Sequence, residues 1–479
     1  MRKAGLLIPV SSLPSRFGIG DFGPTSYELV DLIEECGFKI WQILPLNPLG
    51  FGNSPYQSYS SKAMDEIYIS LEILVEEGLL DEVKEYRARA GKVDYAKVRA
   101  FKEPYLRKAF RRFVENEEYK EFTAQKWVRE YAVFAALKKA NDRKCWNEWP
   151  LLDKQWISNQ KELPELEEEI RYGMFLQYTL YHQWMMLRKY ANDKGIETMG
   201  DVPIYVGIDS LDVWSYQKGF LLDSDGRPTF IAGVPPDGFS AEGQRWGNPI
   251  YDWDQQKKDG FEFWLDRLSY NSKLFDIVRI DHFRAFDTYW KIPADCPTAI
   301  TGQWIEAPGY DLFDTLYAAY PDINIIAEDL GDLRPQVLEL RDHYQMMGMR
   351  IVQHSFNPYG EMPMEQENLC AYTGTHDNES LRVWYSHCDE KYKRAIRRFF
   401  KKHNLNNPLM SENMIQYTLE SISRLAIIPM VDLLNKNDSC RINFPGTVGD
   451  PNWQWKMKDY DEFKAKMAWT KEMIQKSNR

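Results

Sequence analysis

Eight short apolar runs recur along this 479-residue chain, and helical patterns separate most of them. The runs cover residues 5–12, 38–46, 197–206, 275–280, 323–331, 348–356, 368–378 and 425–434. Strands that alternate with helices pair in parallel, and eight parallel strands can close into a barrel. We therefore predict an α/β fold, a (β/α)8 TIM barrel, with residues 1–479 as a single domain.

Two long segments interrupt this alternation after the second and third predicted strands. Residues 65–195 alternate charged and aromatic residues at helical spacing, which indicates an inserted, mainly helical subdomain. Residues 207–256 are irregular and rich in glycine and proline, which is typical of an inserted loop and hairpin subdomain. Within it, residues 233–249 are predicted to form a mobile lid.

Bulk composition excludes several classes of partner. A net charge of −11 argues against a nucleic-acid ligand and against binding to an anionic membrane surface. No run of about 18 apolar residues occurs, so we expect no membrane span. The six cysteines are scattered without a CxxC pair, so we expect a reducing, cytoplasmic compartment and neither a zinc site nor another cofactor.

Three carboxylates stand where predicted strands end: Asp281 after VRI, Glu328 after IIA and Asp377 within GTHD. The carboxyl ends of barrel strands converge on one rim, so these acids are expected to share a cleft. Two carboxylates about 5–5.5 Å apart suit retaining glycoside chemistry, and a third acid nearby raises the pKa of one partner. Structural ion pairs are one alternative. A metal site is another, although no HExxH-like spacing supports it.

Asp281 also lies between two arginines, Arg279 and Arg284, in the stretch VRIDHFRAF. Nearby positive charge keeps a carboxylate ionised, and an oriented, ionised Asp can act as a covalent nucleophile. The alternative is a structural Asp–Arg pair at a strand end. The adjacent His282, like His376 beside Asp377, can donate hydrogen bonds to sugar hydroxyls.

Nine segments spread over nearly the whole chain carry a family resemblance. They read SSLPSRFGIGDFG, WQILPLNPLGFGNSPYQSYS, GDVPIYV, GVPPDGFSAEGQRWGNPIYDW, VRIDHFRAFDTYW, IIAEDLG, GMRIVQHSF, YTGTHDNES and RINFPGTVGDPNWQW. In these segments the chain resembles the 4-α-glucanotransferases of the amylomaltase and disproportionating-enzyme family, relatives of the α-amylases. By this resemblance Asp281 is the nucleophile, Glu328 the acid/base, Asp377 the transition-state stabiliser and Arg279 the residue that orients the nucleophile.

The resemblance also implies substrate contacts. These are expected from Asp201, His282 and His376 at the donor glucose, from Ser54 and Tyr56 in the acceptor-side loop, and from Phe239 and Trp246 on the loop that covers the site. The implied reaction transfers α-1,4-glucan segments from a donor maltooligosaccharide to the 4-hydroxyl of an acceptor glucan or glucose, by a retaining double displacement.

Two other functions remain open at this point. An α-amylase-type hydrolase would use the same three acids. An inactive, glucan-binding barrel would be indicated by the loss of one acid, and all three are present. The expected partners are maltooligosaccharides or other α-1,4-glucans, and the expected state is a monomer or a weak homo-oligomer.

Overall fold

Two separate sheets organise the part of the chain that the computed structural model describes, residues 2–86, 91–236, 240–360 and 366–479. Their strands, in chain order, are β1 (Lys3–Leu7), β2 (Ile40–Gln42), β3 (Glu197–Val202), β4 (Phe230–Val234), β5 (Gln244–Pro249), β6 (Ile277–Ile280), β7 (Thr288–Pro293), β8 (Gln303–Glu306), β9 (Ile325–Ala327), β10 (Gly348–Ile351), β11 (Leu369–Tyr372) and β12 (Leu425–Pro429).

Helices account for most of the remaining regular structure. Those described are α1 (Pro24–Cys36), α2 (Leu71–Glu76), α3 (Tyr95–Arg112), α4 (Glu117–Thr123), α5 (Lys126–Ala140), α6 (Leu151–Lys154), α7 (Trp156–Asn159), α8 (Glu167–Asp193), α9 (Leu211–Ser215), α10 (Trp253–Lys258), α11 (Glu262–Leu274), α12 (Gly309–Ala319), α13 (Pro335–His343), α14 (Val352–Ser355), α15 (Leu381–His387), α16 (Glu390–Lys402), α17 (Met410–Glu420), α18 (Met430–Leu433) and α19 (Asp461–Lys476). In the described ranges, none of them combines the length and the apolar character that crossing a membrane requires.

The larger sheet is the predicted barrel. Its eight strands pair in parallel in the order β10-β11-β12-β1-β2-β3-β6-β9. A parallel bridge between Ile326 and Met347 links β9 back to β10, where the Ala327 N–H donates to the Met347 carbonyl at 2.8 Å. A strand buried on both faces, such as β12, reads as a continuous apolar run, and β6 does so except for the buried Arg279. The (β/α)8 prediction is confirmed.

The predicted strand bounds were less accurate than the strand order. All eight predicted runs overlap a barrel strand, but several extend too far at the C-terminal end. The run 368–378, for example, contains β11 only as far as Tyr372. Residues beyond the last paired position lie at the rim of the barrel. They lengthen the strand-like sequence pattern, although they form no further strand pairing.

A second, antiparallel sheet has the order β5-β4-β7-β8. A hairpin was expected within residues 207–256, but its pairing with β7 and β8 was not predicted. Strands β4 and β5 lie inside residues 207–256, whereas β7 and β8 follow β6. Glycine and proline in these short strands obscure the alternation of polar and apolar residues that would indicate a half-buried sheet. This sheet lies against the turn that follows β6, because Trp246 on β5 packs on His282 and Trp304 on β8 packs on Arg284.

The helices between β2 and β3 are attached to the barrel by a buried cation, Lys102 on α3. Its ammonium donates to the carbonyls of Ile67 and Ile69, at 2.7 and 2.8 Å, and to the Asp21 carboxylate at 3.1 Å. Both charged side chains are buried. A buried cation needs such partners because its hydration is lost on folding.

Replacing this cation should destabilise the whole protein. Lys102→Met keeps much of the side-chain volume but leaves Asp21 unpaired and two carbonyls without a donor. We expect the free energy of unfolding, measured by urea denaturation, to fall by about 3 kcal/mol or more. The control Lys108→Met breaks an exposed pair with Asp81 and should cost less than about 1 kcal/mol. Equal losses of unfolding free energy in the two variants would contradict the proposal that Lys102 attaches these helices to the barrel.

Candidate active site

The register of two neighbouring barrel strands brings the first two acids together. Ile280 on β6 stands opposite Ala327 on β9, so the next residues, Asp281 and Glu328, occupy matching positions at the strand ends. Adjacent strands are about 4.8 Å apart. The two carboxylates therefore start from backbone positions one strand spacing apart at the same mouth of the barrel.

A buried arginine holds the first of these acids. Arg279 stands opposite Asp201 of β3, and its Nη1 donates to both Asp201 carboxylate oxygens at 2.7 Å. Its Nη2 donates to Oδ1 of Asp281 at 3.0 Å. Alternate residues of a strand point to the same side, so Arg279 and Asp281 project together. The guanidinium thereby fixes the Asp281 carboxylate within a chain of ion pairs.

Backbone groups hold the second acid. The N–H of His282 donates to Glu328 Oε2 at 2.7 Å, and the N–H of Leu330 donates to Oε1 at 3.2 Å. His282 has φ 53°, in the left-handed region that non-glycine residues seldom occupy. Such a conformation persists only where surrounding contacts maintain it, and here it occurs in the turn whose amide holds Glu328.

Burial and charge divide the protons of the two acids unequally. Burial, reinforced by the charge of Asp281, raises the pKa of Glu328 to about 8. Burial also raises the pKa of Asp281, but Arg279 opposes that shift through its direct ion pair. The bonds to Glu328, in contrast, come from uncharged backbone groups. At neutral pH Glu328 is therefore the protonated partner and Asp281 the ionised one.

The third acid approaches from the far side of the barrel mouth. Asp377 follows β11, three strands from β6 in the eight-stranded ring. Its Oδ1 accepts a hydrogen bond of 2.7 Å from Asn443 Nδ2, and its backbone carbonyl accepts one of 2.8 Å from Arg441. The side chain is 44% exposed, so it faces open space between the two sides of the mouth.

Aromatic rings line the space next to Asp377. Tyr56 stacks on His376 with ring centroids 5.2 Å apart, and its hydroxyl donates to Asp201 Oδ2 at 2.7 Å. Trp453 contacts both rings, with centroids 5.8 Å from Tyr56 and 6.0 Å from His376. The loops after β2 and β11 thus form one wall of the cleft. The Tyr56–Asp201 hydrogen bond connects this wall to the ion pairs of Arg279.

The other predicted contact residues have different positions. Trp246 lies edge-to-face against His282, with centroids 4.9 Å apart. Burial and Arg284 lower the pKa of His282 to about 3, so this ring is neutral. Ser54 accepts a 3.3 Å bond from the N–H of Tyr56 and thus supports the Tyr56 turn. Phe239, like residues 237 and 238 of the predicted lid, lies outside the described residues.

One expectation about the first acid is wrong. Arg284 does not flank Asp281. Its guanidinium lies over the ring of Trp304, 4.0 Å from the centroid, and its Nη1 donates to the Asp332 carbonyl at 2.7 Å. The side chain projects from the 3-10 turn at Phe283–Phe286 toward these two partners. Among the residues that the structure describes, Arg279 is the arginine that pairs with Asp281.

Two supporting residues were missed by the sequence analysis, Asn443 and Asp432. Buried Asp432 accepts bonds from the Thr373 hydroxyl at 2.6 Å and the Leu381 N–H at 2.7 Å, and so joins both ends of the loop that carries Asp377. Asn443 belongs to the segment RINFPGTVG, which the family resemblance marked without assigning a role. Asp432 follows an apolar run, as Asp281 and Glu328 do, but the sequence does not reveal its partners, and Asn443 lies in a loop without such a pattern.

Comparisons with known proteins agree with one another. A family model described as 4-alpha-glucanotransferase matches residues 8–462. The 4-alpha-glucanotransferase of Streptococcus pneumoniae is 40% identical over 475 residues, 96% of this chain and 94% of the relative. That of Aquifex aeolicus is 39% identical over 477 residues, 97% of both chains.

Solved structures show the same likeness. The amylomaltase from Streptococcus agalactiae, determined in complex with acarbose, is similar over 100% of both chains, with a TM-score of 0.94 and 38% identity. The amylomaltase from Corynebacterium glutamicum has a TM-score of 0.80 at 18% identity, over 100% of this chain and 75% of the other, and shows the shared fold.

The raised pKa of Glu328 should appear as a dependence of stability on pH. Between its ordinary value of 4.5 and about pH 8, the folded state holds a proton that the unfolded state has released. Stability conferred at low pH is therefore lost as pH rises, by up to about 1.4 kcal/mol per pH unit. Glutamine cannot ionise, so Glu328→Gln should gain stability relative to the wild type across this range.

The measurement is thermal unfolding of both proteins from pH 4 to pH 9. We expect the melting temperature of Glu328→Gln to rise relative to the wild type from about pH 4.5 and to level off near pH 8. The control Glu121→Gln changes an exposed carboxylate on α4 and should follow the wild type throughout. A pH-independent difference for Glu328→Gln would refute the raised pKa.

Proposed function

The chain belongs to the 4-alpha-glucanotransferase family, and we propose that Asp281, Glu328 and Asp377 carry out its transfer reaction by retaining double displacement. The observation that carries this assignment is the matched register of Asp281 and Glu328, of which Asp281 is the one bonded to Arg279. The comparisons favour transfer over the hydrolase alternative, because the curated relatives of similar length bear the transferase name.

In the first step Asp281 attacks the anomeric carbon of the donor glucose. The bond from that carbon to the glycosidic oxygen breaks, and Glu328 transfers its proton to this oxygen. The step requires one ionised and one protonated carboxyl group close together, which is the distribution that Arg279 and burial favour. The products are a β-linked glycosyl ester on Asp281 and a shortened sugar with a free 4-hydroxyl.

In the second step an acceptor sugar reacts with the glycosyl ester, and the bond changes of the first step occur in reverse. Glu328, now ionised, removes the proton from the acceptor 4-hydroxyl, whose oxygen attacks the anomeric carbon. The ester to Asp281 breaks, and a new α-1,4 bond forms. Two inversions give net retention, and Glu328 regains its proton for the next turnover.

We assign to Asp377 the role of stabilising the transition state. It lies across the mouth from the other two acids, so a sugar ring in the cleft would have carboxylates on both sides. The sugar ring flattens in the transition state, and hydrogen bonds that Asp377 accepts from the ring hydroxyls would then become stronger. Such bonds lower the activation barrier without tightening the binding of the ground state. Asn443 holds one Asp377 oxygen and leaves the other free for such a bond.

The substrates that fit this site are maltooligosaccharides or other α-1,4-glucans. The amylomaltase from Streptococcus agalactiae was determined in complex with acarbose, which supports a sugar ligand for this chain also. Six cysteines without disulfides support a cytoplasmic location. A monomer or weak homo-oligomer remains the predicted state, which light scattering would measure directly.

Product analysis tests transfer against hydrolysis. Incubation with maltotriose should give glucose together with oligosaccharides longer than the substrate, resolved by chromatography. Transfer conserves the number of glycosidic bonds, so the reducing-end concentration should stay nearly constant. A steady rise in reducing ends, with glucose and maltose as sole products, would establish the hydrolase instead.

The two acid roles can be separated with α-maltosyl fluoride, whose leaving group needs little protonation. Asp281→Asn should lower kcat on the order of 10⁴-fold or more on both the fluoride and maltotriose, because the nucleophile is lost. Glu328→Gln should lose activity on maltotriose but retain most of the glycosylation rate with the fluoride, read as the burst of fluoride release in the first turnover, because later turnovers need Glu328 as the base. Asp225→Asn, in an exposed turn, is the matched control. Equal sensitivity of both donors in Glu328→Gln would reject its acid role.

A further inference from the structure

We propose that Trp304 and Arg284 form an outer sugar-binding subsite that takes one glucose residue of a long α-glucan chain. The subsite lies beside the reacting bond rather than at it, and it would make longer glucans better substrates. This inference rests on the proposed function, since it extends the same cleft.

Trp304 presents an open aromatic surface. It lies on β8, an edge strand of the antiparallel sheet, and is 39% exposed. The guanidinium of Arg284 lies over the Trp304 ring, 4.0 Å from its centroid, and Trp290 packs against the indole at an interplanar angle of 62°, with centroids 5.1 Å apart. These contacts hold the ring, and its exposed part faces solvent. A fixed, exposed indole is a suitable platform for the apolar face of a pyranose ring.

Arg284 supplies polar groups that remain available. Its Nη1 donates to the Asp332 carbonyl, but no carboxylate of the described ranges forms an ion pair with it. Its Nε is buried without a hydrogen-bond partner there. Burial lowers the pKa of this guanidinium, although Asp287 and Asp332 oppose the shift. Sugar hydroxyl oxygens would accept hydrogen bonds from Nη2, because Nε is buried and Nη1 already has a partner.

The position of the pair connects it to the reacting bond. Arg284 is two residues beyond His282, whose N–H holds Glu328. The same sheet places Trp246 of β5 against His282 and Trp304 of β8 against Arg284. Three strand spacings separate β5 from β8, about 14 Å. The sheet thus extends from the acid/base to Trp304 over a span that a chain of several glucose units covers.

The competing explanation is that the Trp304–Arg284 stack only stabilises the β7–β8 hairpin. The two explanations differ in what they predict for substrate length. A structural stack affects all donors alike, whereas an outer subsite affects only donors long enough to reach it. The informative quantity is the ratio of kcat/KM for maltoheptaose to kcat/KM for maltotriose.

The experiment measures this ratio in the wild type and four variants. Trp304→Ala should lower it about five- to tenfold, as expected for one lost stacking contact. Arg284→Met, which keeps the stem over the indole but removes the donors, should lower it also, and Trp304→Phe should restore part of it. Tyr320→Ala is the matched control, because Tyr320 is also 39% exposed but precedes β9 at the opposite end of the barrel.

A second measurement covers the case in which Trp304→Ala folds poorly. Calorimetric titration of Glu328→Gln with maltoheptaose, with and without Trp304→Phe or Arg284→Met, should show weaker binding in the double variants and equal binding of maltotriose. An unchanged length ratio in Trp304→Ala, or equal losses on both donors, overturns the subsite while transfer stands. Absence of transfer in the wild type overturns the proposed function and the subsite with it.

Discussion

The active site depends on one buried guanidinium. Arg279 is almost completely enclosed in the barrel, where an unpaired cation would be prohibitively costly. Asp201 from the neighbouring strand and Asp281 from the same strand supply the compensating charge. Because the cation has a carboxylate on each side, the position of Asp281 is set by the strand register and not by a flexible loop. The same ion pair keeps this acid ionised against its own burial.

This arrangement also decides which acid carries the proton. Two carboxyl groups at matched positions after neighbouring strands cannot both ionise readily in a desolvated site. Arg279 forms its ion pair with Asp281, which favours ionisation there, whereas burial and the charge of Asp281 raise the pKa of Glu328 to about 8 against the opposing effect of the His282 amide. The proposed nucleophile and the proposed acid therefore differ in protonation because of one asymmetric ion pair, although they occupy equivalent positions after β6 and β9.

Sequence reasoning succeeded where the information is local. Asp281 and Glu328 directly follow apolar runs, so their common rim could be predicted once eight parallel strands were recognised. It failed where distant segments meet. Asn443 reaches Asp377 across 66 positions, and the direction of Arg284 depends on a single 3-10 turn. The antiparallel sheet pairs two segments on either side of β6, and its short strands carry no pattern that names a partner.

The barrel alone does not explain why a sugar, and not water, should accept the glycosyl group, since hydrolases can use the same acids. The difference must lie in the segments that surround the mouth. Gln57, next to Tyr56, donates to the Trp246 carbonyl at 3.2 Å and to Asn248 at 3.0 Å. The loop after β2 is therefore bonded to the β4–β5 hairpin, and the two form a continuous wall over the ion pairs. A wall built from the loop after β2 and the inserted hairpin can exclude water and hold an acceptor at once, which is the condition for transfer.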